Sequence, residues 1–193
     1  MALTRARIIA GSPALGADIA EVIASVLAKP RENPRLVVDV ASMRARIDKE
    51  RRTENFWKLK HVRGGLLDIE FIAQYLQLRE ASRHPEILSQ ETDSVFERLA
   101  RVGVIAQEDA TGLIESARLM RRLQALLRLT VGVSRDEAQY PAGVRQALVK
   151  AAGMKNFDEV RAQLMDSEAR VRAYYARYVQ QPADQFKNER KTV

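Results

Sequence analysis

Cysteine is absent from the 193 residues, which excludes a disulfide framework, a zinc-thiolate centre and a cysteine nucleophile, and makes a reducing cytoplasm the expected setting. Histidine is scarce: His61 and His84 are the only two, too few for a histidine metal site, and no metal ligand set is expected. Aromatics amount to 6%, thin for a surface that stacks on nucleobases. Arg5 and Arg7 precede only Ile8-Ile9-Ala10 before Gly11, too short for a signal-peptide core, and no later run approaches a membrane span. The expectation is a soluble protein. No stretch alternates apolar and polar residues with β-branched enrichment, and there is no internal repeat or low-complexity tract.

What is present is enough apolar material, 46% of the chain, for one sizeable core. The formal net charge of +7 and a sequence pI near 9.9 suit an acidic partner such as nucleic acid, nucleotide phosphate or an acidic protein. The basic residues are nevertheless spread along the chain and interleaved with acids, which reads as solvated helix faces rather than a nucleic-acid groove. A basic nucleic-acid-binding or protein-interaction module is therefore the rival reading, with nucleic acid not expected as a partner.

In chain order, residues 2–10 read as the last turns of a helix stopped by Gly11, and Ser12-Pro13 restarts one with an N-cap and an N1 proline. Leu15, Ile19, Val22, Ile23, Val26 and Leu27 form its apolar stripe. Asn33-Pro34 opens a second helix with Leu36, Val37, Val40, Met43 and Ile47 inward, whose far end, from Arg44 to Arg52, reads as a solvated charged segment. Further helices follow: one from Thr92 or Asp93 closed by Gly103, a long one over 108–131 ended by Gly132, one from Pro141 stopped by Gly153, and a last one over 158–179. Residues 182–193 read as a flexible polar tail. The predicted class is all-α, a bundle of six or seven helices around a buried central one.

That central helix opens at Gly64-Gly65 and carries Leu66-Leu67-Asp68-Ile69-Glu70-Phe71-Ile72-Ala73-Gln74-Tyr75-Leu76-Gln77-Leu78. Its apolar residues fall on all sides of a helical wheel, the pattern of a helix buried all round. Asp68 and Glu70 are costly there unless paired. Two residues apart on a helix they point about 200° from each other, which argues against a shared metal. Their candidate partners are Lys58, Lys60, Arg63 and the arginine stripe of the long helix, Arg118, Arg121, Arg122 and Arg128. Two readings of Gly64-Gly65 stay open: close approach of a neighbouring helix, or exposure of backbone N–H groups to a phosphate, with Lys58, Lys60 and Arg63 around it.

The segment Lys60 to Leu78, above all Gly64-Gly65-Leu66-Leu67-Asp68-Ile69-Glu70-Phe71-Ile72-Ala73-Gln74-Tyr75-Leu76, resembles the signature of the helical domain of glutamine synthetase adenylyltransferases, and more loosely that of PII uridylyltransferases. Ala2-Leu3-Thr4-Arg5-Ala6-Arg7 followed by Ala10-Gly11 resembles the junction at which the adenylyltransferase's catalytic domain ends; Ser12 departs from the aspartate more usual there. The resemblance implies three parts: the end of that junction at 1–11, the helical bundle at 12–181, and the tail. It implies a parent nucleotidyltransferase that uses ATP and magnesium to move AMP to and from a tyrosine of glutamine synthetase, under control of PII and glutamine. The metal-binding carboxylates of that reaction belong to a preceding catalytic domain. This C-terminal helical segment is then expected to be silent alone, to bind no cofactor tightly, to hold no catalytic residue, and to meet the catalytic domain through Lys58, Lys60, Arg63, Gly64 and Gly65.

Overall fold

The structure, a computed structural model, describes residues 1–51, 53, 55–131 and 136–189. Among these residues there is no strand. Eight α-helices are present: α1 (Pro13–Leu27), α2 (Asn33–Arg51), α3 (Leu66–Glu80), α4 (Thr92–Arg101), α5 (Gln107–Thr130), α6 (Ala142–Ala152), α7 (Phe157–Tyr175) and α8 (Gln181–Glu189). A π-helical turn, Ala176–Gln180, joins α7 to α8 without a break, so the eight segments make seven continuous helices among the described residues.

Helix α3 is the centre. It packs against α2, α4, α5 and α7, and Leu66, Ile69, Phe71, Ile72, Ala73, Tyr75, Leu76 and Leu78 are all buried. A helix with apolar residues on every face has to be surrounded, and four neighbours do that. Stops fall where backbone chemistry sets them: Gly153 closes α6 in the left-handed conformation, φ 72°, which costs a glycine little. The proposed stop at Gly132 lies outside the described residues.

Three local expectations change. Residues 2–10 form a 3-10 turn, Ala2–Arg5, rather than helix ends. The apolar stripe of α1 is largely open to solvent, with Leu15 58%, Ile19 43% and Val22 60% exposed and only Leu27 buried; α1 lies on the N-terminal turn instead of inside the bundle. The tail expected from 182 is helical to Glu189 and docks on α2, with Ala183 buried; residues 190–193 lie outside the described set. Pro182 does not stop this helix. Its ring would clash with the carbonyl four residues back, at Tyr178, and Tyr178 sits inside the π turn, where the widened backbone lets the helix continue.

Candidate functional site

The site is built by the connection between α2 and α3. Asn55 accepts the Trp57 N–H at 2.9 Å, turning the chain inward. Trp57 then enters the core, 1% exposed, stacked on Phe157 with ring centroids 5.4 Å apart and edge-on to Tyr140; its indole N–H donates to the Glu137 carboxylate. Leu59 is fully buried two residues on. With Trp57 and Leu59 inward, Lys58 is half-buried and Lys60 exposed.

The same loop caps α3. The N–H groups of Gly65, Leu66 and Leu67 donate to the carbonyls of Val62, Leu59 and Lys60 at 3.0, 2.8 and 3.2 Å, and the Gly64 N–H donates to Asp68 Oδ2 at 2.6 Å. No donor at this helix start is left for a phosphate, and both glycines are buried. Their absent side chains matter for packing. Gly64 has φ +84°, and a Cβ there would run into the Glu168 carbonyl oxygen and stand 2.9 Å from Arg172 Cγ; one on Gly65 would collide with the Leu59 carbonyl. The geometry fits close approach of a neighbouring helix, α7, at Gly64, while Gly65 lies close against its own loop at Leu59 and Val62.

Asp68 is 1% exposed. Its Oδ1 accepts from Arg44 Nε, and Arg63 Nη1 stands 3.9 Å from the same oxygen. Arg44 is itself fully buried; it also reaches Asp48 Oδ1 at 3.4 Å and the His61 carbonyl at 3.5 Å. Arg44 thus belongs to the core, not to the solvated end of α2. The clue in the sequence was its spacing: it lies four, three and seven residues after Val40, Ala41 and Val37, all buried, on the inward stripe. Met43, placed inward by the sequence reading, is 46% exposed.

The other acids are placed differently. Glu70 pairs with Arg5 at 2.9 Å and its side chain is 24% exposed, so it is a half-buried pair at the N-terminal turn. Arg118 and Arg121 both engage Asp93 on α4, Arg118 Nε at 2.9 Å. Arg122 is exposed and in no ion pair among the described residues. The arginine stripe therefore neutralises neither Asp68 nor Glu70.

Two further buried groups lie at this locus, and of these Glu168 had no signal in the sequence. Glu168 of α7 is 4% exposed, stands 3.6 Å from Arg172 and has one carboxylate oxygen with no partner. Burial pushes its pKa from 4.5 up to about 7 against the pull of Arg172. Tyr175 is buried beneath the Arg63 guanidinium, 5.2 Å from its ring centroid; burial first, then the Asp68 charge, raises its pKa. Among the described residues no group of three acidic or histidine side chains is placed to share a metal ion. Asp68, with both oxygens engaged, acts as a structural anion.

A chain with this all-helical architecture and this glycine-opened buried helix falls into one class by comparison. The family model described as GlnD PII-uridylyltransferase matches residues 41–181, a span that runs from the middle of α2 into α8. The chain belongs to that family. Its curated relatives include the bifunctional glutamine synthetase adenylyltransferase/adenylyl-removing enzymes of Xanthobacter autotrophicus, 40% identical over 95% of this chain, and of Rhodopseudomonas palustris strain HaA2, 41% identical over 93%. The same-named protein of Bradyrhizobium sp. strain BTAi1 is 39% identical over 91%. The match covers 19%, 18% and 18% of these relatives, so the chain spans about a fifth of their length.

Two outcomes follow from the packing at α3. Gly64→Ala forces a side chain onto backbone at a positive φ and is expected to destabilise the fold by at least about 3 kcal/mol, read as a lower midpoint of urea unfolding. Glu168→Gln tests the buried carboxyl. A folded-state pKa raised above its unfolded value means the native state holds the extra proton, so stability is present below pH 4.5 and lost as pH rises through about 7. The glutamine variant is expected to match the parent in thermal midpoint near pH 5 and exceed it by several degrees near pH 8, about 3 °C per kcal/mol for a chain of this size. Parallel pH profiles would contradict the assignment.

Proposed function

We propose that this chain serves as the helical domain of a bifunctional glutamine synthetase adenylyltransferase/adenylyl-removing enzyme, positioning the enzyme's other parts rather than performing chemistry. The observation that carries this reading is identity of about 40% over 95% of the chain to enzymes of that name. In the parent, AMP passes from ATP to a tyrosine of glutamine synthetase and back off again, with ATP and magnesium held by a catalytic domain in the cytoplasm; PII and glutamine are its proposed regulators. The site's geometry supports a positional role. Its buried acid is consumed by Arg44 and Gly64, and its glycines by packing. Within the loop the roles divide: Arg63, Gly64 and Gly65 hold its shape, while Lys60, exposed, and Lys58, half-buried, are the proposed face to the catalytic domain.

Purified chain incubated with ATP, magnesium and glutamine synthetase is expected to give no adenylylation or deadenylylation above a contaminant control. Turnover would overturn the silent-domain reading. In the full-length enzyme, Lys60→Ala is expected to raise the KM for ATP or for glutamine synthetase several-fold with an unchanged thermal midpoint, whereas unaltered kinetics would remove Lys60 from the interdomain face.

A further inference from the structure

A second feature of the same loop lies on the side away from Asp68. The end of α2, residues 58–61 and the last turns of α5 border a half-open cavity of about 290 Å³ lined by Arg51, Lys58, Lys60, His61, Gln124 and Arg128. Four of these six are permanent cations, the fifth is a histidine, and none is a carboxylate. Elsewhere some basic residues are answered, Arg44 by Asp68, Arg118 and Arg121 by Asp93, Arg161 by Glu137, Arg172 by Glu168 and Arg177 by Asp109, and others, such as Arg122, are single exposed cations; what sets the cavity apart is that four cations converge on it. Around the cavity, no ion pair involves Arg51, Lys58, Lys60 or Arg128 among the described residues.

Helix ends offset part of this repulsion. Arg51 and Arg128 sit in the last turns of α2 and α5, where the carbonyl end of the dipole favours a cation at about 0.3–1 kcal/mol. Lys58 and Lys60 have no such compensation. Their position is forced by Trp57 and Leu59, the buried residues that alternate with them. A buried polar atom is also unsatisfied here: His61 Nδ1 has no hydrogen-bond partner. The ring is held toward its neutral form first by burial, then by Arg51 and Lys60. Converging positive charge, a half-open cleft of a size suited to a compact ligand and an unused ring nitrogen all ask for the same missing component, a small multivalent anion.

We propose that this cavity is a binding site for a condensed phosphate, the polyphosphate chain of a nucleotide or free inorganic polyphosphate, held by Arg51, Lys58, Lys60 and Arg128 with His61 and Gln124 as hydrogen-bonding groups. The site belongs to this chain and does not depend on the adenylyltransferase reading. A single carboxylate or chloride would leave most of the charge unanswered, whereas two or three linked phosphates match four cations. Long nucleic acid is the less fitting polyanion, since the charge is gathered in one cavity instead of along a groove.

The test is calorimetric titration of the intact chain with sodium tripolyphosphate, ATP, orthophosphate and a single-stranded oligonucleotide. Tripolyphosphate is expected to bind one to one and at least tenfold tighter than orthophosphate, with affinity falling as salt rises. Equal affinity for ATP and tripolyphosphate assigns recognition to the phosphate chain alone; tighter ATP assigns it to a nucleotide. Lys60→Gln and Arg128→Gln are each expected to weaken binding about tenfold with unchanged unfolding midpoints, and Arg122→Gln, an exposed change on the same helix outside the cavity, to leave it unaltered. Four results overturn the proposal: no tripolyphosphate binding, oligonucleotide bound tighter than tripolyphosphate, orthophosphate binding as tightly, or equal losses from all three variants, which would mean diffuse surface charge. Each leaves the adenylyl-transfer reading standing, because no turnover is measured.

Discussion

The fold turns on one buried ion pair, Arg44 with Asp68. Both side chains are out of water, 0% and 1% exposed, and burying either charge alone would cost several kcal/mol. Neither is alone: Asp68 takes Arg44 on one oxygen and the Gly64 N–H on the other, while Arg44 also contacts Asp48 and the His61 carbonyl. The pair therefore fixes three things at once, the register of α2 against α3, the turn at Gly64, and the height of the loop at His61. Gly64 in turn lies flat on the Glu168 carbonyl of α7, so the fourth wall of the core is aligned by the same contact.

From this constraint the outer loop inherits its shape. Trp57 and Leu59 are plugged into the bundle and the carbonyls of Leu59, Lys60 and Val62 are spent on the first N–H groups of α3. A backbone so fully used has little freedom, and Lys58, Lys60 and His61 are held against Arg51 and Arg128 despite their like charge. Such placement lowers stability by itself. It is tolerated because the core contacts that impose it are worth more, each large buried side chain contributing about 1.5–3 kcal/mol.

The sequence made the architecture readable because the all-round apolar wheel of α3 admits only a surrounded helix, and because Gly153 and Pro141 punctuate the chain in the ordinary way. The double glycine and the buried acids were visible too. What stayed hidden depends on which remote residue meets which. Arg44 sits among six other charged residues in a run from 44 to 52, and only its phase relative to Val37, Val40 and Ala41 sets it apart. Glu168 gives no sign at all, since its burial comes from α3 lying against α7. The exposed stripe of α1 misleads in the opposite sense, its period being that of a core helix although only Leu27 reaches the core. The end of the bundle was hidden by the polar, charged composition from Pro182 onward, and the proline's own clash is absorbed by the π turn.

The pairing of Arg44 with Asp68 is the claim from which the rest descends, and a double-mutant cycle measures it. Arg44→Met and Asp68→Leu, singly and together, are compared by urea unfolding. Each single change strands a buried charge and is expected to cost about 3–5 kcal/mol, and the double variant at least about 2 kcal/mol less than their sum. Losses that add to within about 0.5 kcal/mol would mean that the two side chains act independently and that something else holds α2, the glycine turn and α3 together.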